Sequence, residues 1–505
     1  MTPHRGIDAE FLNLPRMELA DAAFCAATAA GASYTDLRIH RISTEIIQLH
    51  DGELENAAAS YQLGLAVRVI VNGTWGFASH AELTPAVAAD TARRAVQVAI
   101  TLAALNTERI ELAAEPVYTG AMWVSHYHID PFAVPTADKI AVLESYSDRL
   151  LGADGVDHVS ASVNCVKEQT FYADTFGSSI TQQRVRIMPT LDAVTVNAVE
   201  GSFETMRTLA PPMARGWEVL ADDQIWNWSD ELAQLPSLLA EKAKAPSVLP
   251  GSTDLVIDPS NLWLTIHESI GHATEYDRAI GYEAAYAGTS FATPEQLNTL
   301  RYGSPVMNVT ADRTIEFGLA SIGYDDDGVA AQSWDLVRDG VFVGYQLDRV
   351  FAPRLGQPRS NGCSYADSAH HVPIQRMANV SLQPSPDDLN TADLISRVPE
   401  GIYIVGDKSW SIDMQRYNFQ FTGQRFFRIR NGQLAGQLRD VAYQASTTDF
   451  WNSLEAVGGV STWQLGGAFN CGKAQPAQVA AVSHGCPSAL FRGINVLNTR
   501  IEGGR

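Results

Sequence analysis

Three residues within a six-position stretch, His267, Glu268 and His272 in WLTIHESIGHATEYD, carry the groups a hydrolytic metal site needs. Imidazole nitrogens can hold zinc, and an adjacent carboxylate can take a proton from metal-bound water. In the familiar zinc-hydrolase motif H-E-x-x-H the histidines are four apart and stack on one helical face. Here they are five apart. At about 100° per residue, a regular α-helix would set the two rings roughly 140° apart, too far for one ion. Two readings follow. Either this is a buried amphipathic helix whose histidines are satisfied by hydrogen bonds, or the helix is deformed between them. A π-bulge, which adds one residue to a turn, would bring the rings together, with Gly271 as the weak point.

Two histidines still leave a metal short of ligands. Downstream, GGAFNCGKAQ offers Cys471, and SHGCP offers His484 and Cys486. Thiolate is a good zinc ligand, and glycine-rich surroundings let backbone approach closely. A lone cysteine is more often a small buried apolar residue, so composition does not select among them. Glu275 and Asp277, just beyond His272, are placed either to brace a ligand imidazole or to form a solvated helix face.

These residues must be held by elements the rest of the chain supplies. A length of 505 residues predicts two or three domains. The break falls near KAKAPSVLPGS, dividing an N-terminal mixed α/β domain (1–245) from a C-terminal, antiparallel β-rich domain (246–505) that carries the histidine helix. Helices are expected over Met17–Ala29, from a Thr84 cap followed by Pro85 to about Leu105, and over Thr136–Leu151. Strands are expected over Leu37–Leu49 and Leu65–Val71, with several more between Val159 and Val196. Asp51-Gly52, Asn72-Gly73, Asp339-Gly340 and Asn431-Gly432 read as hairpin turns. The fold class is α+β, without regular βαβ alternation.

Composition excludes several functions. The apolar fraction of 46% and charged fraction of 18% belong to a globular protein. With 36 basic and 57 acidic side chains the net charge is −21, which repels phosphate backbones and argues against nucleic acid as a partner. MTPHRGIDAEFLNLPRM lacks the apolar core of a signal peptide, and no run approaches the roughly 20 apolar residues that span a bilayer. Five scattered cysteines form no disulfide framework and suit a reducing cytoplasm. No P-loop or dinucleotide turn is present. Asp325-Asp326-Asp327-Gly328 lacks the later ligands of a calcium loop and reads as a solvated turn.

HESIGHATEYD, FNCGK and SHGCP resemble the TldD/PmbA family on its TldD side, and GASYTDLRIHR, HDGELENAAAS and LGLAVRVIVNGTWGFAS resemble that family's N-terminal domain. The resemblance implies His267, His272 and Cys471 as zinc ligands and Glu268 as the catalytic carboxylate that activates a zinc-bound water. It implies one zinc per catalytic subunit and small or unfolded peptides as substrates. It also implies a dimer with a homologous TldE/PmbA-type metal-free subunit, self-association being the alternative. Phe469 departs from the family, where many members have glycine before the Asn-Cys pair. His484 and Lys473 are the candidates for stabilising an oxyanion. The competing reading is a non-catalytic peptide-binding or modulator subunit with a structural metal. Geometry separates the possibilities: the helix must bulge between His267 and His272, with the Cys471 sulfur facing both rings.

Overall fold

The computed structural model describes residues 6–197 and 201–502. Its N-terminal sheet is built from long strands. β1 (Tyr34–His50) and β2 (Glu53–Val71) form a hairpin whose Asp51-Gly52 turn holds Asp51 at φ 49°, as a turn of this type demands. β3 (Thr74–His80), β4 (Ala121–Val124), β5 (His158–Asp174), β6 (Ser179–Asn197) and β7 (Ser202–Arg207) complete a seven-stranded sheet of order β3-β2-β1-β5-β6-β4, with β7 also on β6. All pairings are antiparallel except β4 with β6. Between Val159 and Val196 there are two long strands, not several short ones.

The helices of this part lie close to the expected positions. Arg16–Ala29 and Pro85–Ala103 pack alanine-rich faces on β1–β3, and the Thr84 hydroxyl accepts from Val87 N–H at 3.3 Å to cap the second. Thr136–Leu151 and Trp228–Lys244 cover β5 and β6 around Leu143, Trp228 and Leu235. Among the described residues no helix is long and apolar enough to cross a membrane.

Downstream, β8 (Gly251–Ile257) enters a second seven-stranded sheet with Glu400–Ile412, Asn418–Arg430, Gln433–Leu438, Val441–Ser446, Leu454–Val457 and Ala489–Asn498. Glu400–Ile412 pairs with β8 on one side and with Asn418–Arg430 on the other, so five of the strands close into a ring. The β8–Glu400–Ile412 pairing is parallel, an exception to the antiparallel expectation. The histidine helix leaves the end of β8 through Asp258, whose carboxylate accepts from Ser260 N–H at 3.0 Å, with Pro259 in the first turn. That helix, buried along its length, packs against the hairpin of Gln464–Lys473 and Gln478–Cys486.

The Asp325–Gly328 run departs from expectation. Its three aspartates are buried, not solvated. Asp326 takes Arg38 at 2.5 Å and Asp327 takes Arg68 at 2.7 Å, joining β1 and β2 to the later part of the chain. Asp326 and Asp327 are tolerated there because each is paired with an arginine, whereas Asp325 accepts from the N–H groups of Asp327, Val329 and Ser364, and burial pushes its carboxyl well above the usual range.

Candidate functional site

The helix Pro259–Ile266 widens at His267–Gly271 into a π-helical turn, and the chain tightens to a 3-10 turn over His272–Thr274. His272 N–H donates to the His267 carbonyl, the i→i+5 bond that absorbs one extra residue. Neighbours satisfy the carbonyls of the widened turn. Tyr302 Oη donates to Ser269 O, Thr274 Oγ1 to Ile270 O at 2.9 Å, and Gln346 Nε2 to Gly271 O at 2.7 Å. Gly271 lies in the π-helical turn, where the sequence put the weak point, and keeps right-handed helical angles, φ −53° and ψ −59°, that any residue adopts. It provides room instead: a Cβ there would stand 2.5 Å from Met377 Sδ.

The five-residue spacing now works. The His267 and His272 ring centroids are 4.7 Å apart, and Cys471 Sγ lies 3.5 Å from His272 Nε2. One ligand atom from each of the three falls within 4.8 Å of the others. A tetrahedral zinc with bonds of about 2.0–2.1 Å to nitrogen and about 2.3 Å to sulfur separates those donors by about 3.6 Å. The sulfur–nitrogen distance fits such an ion. Cys471 reaches this point through a β-bulge. Ala468 pairs with Val482 and Cys471 with Ala480, which leaves one extra residue in the Phe469–Asn470 stretch. Phe469 packs with Val166, Leu319 and Ala481, between the N-terminal sheet and the hairpin. Gly466 lets the hairpin meet the helix, since a Cβ there would lie 2.3 Å from the Trp263 ring.

Each imidazole is braced from behind in a way that decides its tautomer. His484 Nδ1 faces the Val380 carbonyl at 2.8 Å, and a carbonyl only accepts, so Nδ1 carries the proton. Burial, then the adjacent His267, push His484 well below the usual imidazole range, so it is neutral and its Nε2 accepts. The proton on that 2.7 Å contact therefore belongs to His267 Nδ1, leaving the His267 Nε2 lone pair free. His272 Nδ1 donates to Glu275 Oε2 at 2.8 Å, which leaves its Nε2 toward the sulfur. Burial lowers the proton affinity of both rings. For Glu275, burial favours the neutral acid, but Lys473, Arg278 and His272 outweigh it and hold the carboxyl well below its usual range. Burial also opposes ionisation of Cys471, yet His272 and Arg376 together bring its thiol below the ordinary value. Lowered proton affinity at both imidazoles and at the thiol favours a metal over protons as their shared partner.

Glu268, beside His267, is buried and accepts from Arg416 Nη1 at 2.9 Å through Oε2. Its Oε1 has no protein hydrogen-bond partner among the described residues. Arg416 sits at φ 61° in the turn after Glu400–Ile412, and its Nη2 donates to Ala287 O at 3.1 Å. A non-glycine residue in that region is strained, and such strain clusters at functional sites. Sequence reasoning missed Arg416, which lies 148 residues from its partner with no motif around it. The two residues it offered as candidate oxyanion donors are committed elsewhere. Lys473 Nζ is enclosed by Glu275 Oε1 at 3.1 Å, Asp277 Oδ1 at 2.8 Å and both oxygens of Gln375. His484 has both nitrogens engaged. Of the two acids read either as braces or as a solvated face, Glu275 braces the His272 ring, whereas Asp277 holds Lys473. His371 lines a cleft of about 340 Å³ with Tyr365, Phe469 and Asn470, while His126 pairs with Glu316 on the surface.

Residues 250–498 match the family model described as PmbA/TldA metallopeptidase C-terminal domain, and residues 35–103 match PmbA/TldA metallopeptidase domain 1. The chain belongs to the TldD/PmbA family. Relatives in this family match from about half to nearly all of the chain, as 56% and 98% coverage show. A protein named metalloprotease from Methanothermobacter thermautotrophicus is 28% identical over 494 residues, covering 98% of this chain and 100% of its own. A zinc metalloprotease TldD homolog from Saccharolobus solfataricus is 22% identical over 445 residues, covering 85% and 89%. The crystal structure of TldE from Thermococcus kodakarensis has the same fold, with a TM-score of 0.70 at 13% identity over 95% of this chain and 99% of its own.

Proposed function

We propose that this chain is the catalytic, TldD-type subunit of a zinc metallopeptidase that cleaves small or unfolded peptides. In this reading His267, His272 and Cys471 hold one zinc ion and Glu268 is the catalytic base. The observation that carries it is the convergence of two neutral, back-braced imidazoles and an acidified thiol beside a carboxylate. The chemistry supplied by bound zinc is Lewis acidity, which polarises a carbonyl and makes water acidic near neutral pH. Glu268 Oε1 takes the proton of the attacking water and returns it to the leaving amine. Arg416, on the other oxygen, orients that carboxylate and is a candidate cation for charge developing on the substrate carbonyl oxygen.

Among the described residues three donors converge, which favours catalysis over a structural metal, because a bound ion would keep a coordination position open. Substrate has space in two clefts along Gln464–Lys473. One is the cleft beside Phe469, and the other, of about 250 Å³, is walled by Trp263, Trp410 and Asp407. Trp263 lies against His267 with ring centroids 6.4 Å apart, so the second cleft abuts the site. Extended peptide is the class such clefts suit, recognised through main chain along the strand. The likeness to TldE supports pairing with a homologous metal-free subunit, and five free cysteines suit the cytoplasm. We divide the chain at 245/246, where Ala245–Pro250 links the last helix of the N-terminal part to β8.

The test is zinc analysis of the purified chain, alone and with a co-produced metal-free homologue, alongside cleavage of an unstructured peptide. The reading requires about one tightly held zinc and metal-dependent cleavage. Zinc binding that persists undiminished in Cys471→Ala would remove that residue from the site.

A further inference from the structure

A second group of metal-ligating side chains lies at the turn end of the β1–β2 hairpin, in the other sheet. We propose that His50, Asp51 and His158 form an exchangeable site for a divalent ion of the zinc, nickel and copper class. His158 Nδ1 lies 2.8 Å and His50 Nε2 3.5 Å from the same oxygen, Asp51 Oδ2. One ligand atom from each residue falls within 4.8 Å of the others. Nitrogen and oxygen donors at about 2.0–2.2 Å from a tetrahedral ion stand about 3.4 Å apart, so both distances are within a small side-chain adjustment of coordination. A single carboxylate oxygen shared by two imidazoles is a poor use of hydrogen bonds and a good template for one ion.

Backbone pairing sets this arrangement, not packing. Asp51 N–H donates to Val159 O and Val159 N–H donates to Asp51 Oδ1, both at 2.8 Å, which turns Oδ2 toward the rings. His50 sits opposite Ser160 in the β1–β5 register, and its Nδ1 contacts Ser160 Oγ at 3.3 Å, leaving Nε2 on the Asp51 side. The side chains of His50, Asp51 and His158 are 47%, 34% and 51% exposed, so water can fill the remaining positions and the ion can come and go. Imidazole donors select this class over calcium or magnesium, which prefer oxygen. An ion here would tie the hairpin end to the start of β5.

The experiment is equilibrium dialysis of the full chain against zinc, repeated with cobalt to read absorbance. We expect a second, weaker equivalent in the natural chain that disappears in His50→Gln and in His158→Gln, with the tight equivalent kept. Absence of a weaker class, or its survival in both variants, would overturn the proposal. Cys471→Ala separates the two sites. It should abolish the thiolate-to-cobalt charge-transfer band and leave the weaker equivalent in place, so failure of the buried site and failure of this one give different spectra.

Discussion

Two clusters in this molecule each combine a pair of histidines with a third donor, and they differ in what stands behind them. Around His267 and His272 every far nitrogen is taken, by His484 and by Glu275, and burial keeps the rings neutral. Around His50 and His158 the rings meet water, and the hydrogen bond to Asp51 raises the proton affinity of His158. A proton therefore competes more strongly for His158 than for either buried ring. On the proposed reading, the same ligand chemistry would become tight or exchangeable according to burial and bracing.

The largest expected effect separates the catalytic group from the ligands around it. Glu268→Gln should lower peptide cleavage by about 100- to 10,000-fold while zinc content is unchanged. Unaltered cleavage in a zinc-loaded variant would exclude Glu268 as the base. Next comes the bracing itself. His484→Ala strips His267 Nδ1–H of its acceptor and should weaken zinc binding by about 10- to 100-fold, whereas His484→Gln, which retains an acceptor, should recover much of it. Equal losses in both would mean that packing, not the hydrogen bond, is what His484 supplies.

The contrast extends to carboxylates. Glu275 is buried against Lys473 and Arg278, whereas burial and the nearby Asp327 push the Asp348 carboxyl up to about 7. A carboxyl that binds its proton more tightly when folded contributes stability at low pH. That contribution is lost as pH rises from about 4, its unfolded value, through about 7. Asp348→Asn keeps an acceptor for Val350 and Phe351 N–H and should gain about 1–3 kcal/mol over the natural chain at pH 8 relative to pH 5 in denaturant titrations. An identical pH slope in both proteins would clear Asp348 of this role. The smallest effect belongs to the exposed cluster. Without added metal, His158→Gln should leave the denaturant midpoint and peptide cleavage indistinguishable from the natural chain, because exposed pairs contribute little.

Legibility followed the range of the interaction. The Thr84-Pro85 start and the Thr136–Leu151 helix were readable because caps and periodicity are local signals. The lower half of β2, Glu53–Gln62, was not, because its residues are exposed and carry no alternating pattern; pairing with β1 makes it a strand. Glu275 was visible as a brace three residues from His272. Arg416 was invisible, since nothing nearby marks an arginine held at positive φ against a glutamate. Asp325–Asp327 was misread as a surface turn because its arginine partners lie in β1 and β2, more than 250 residues away.

The sequence by itself determined the inventory: two histidines at a spacing no regular helix can use, a glutamate between them, and a distant cysteine. Only the tertiary structure decided that these come together. The π-turn persists because Tyr302, Thr274 and Gln346 satisfy its carbonyls, and the sulfur arrives on a bulged strand 199 residues beyond His272. Hydrogen-bond donors and acceptors are written in the residue types, but which one meets which depends on burial, and burial exists only once the chain has folded.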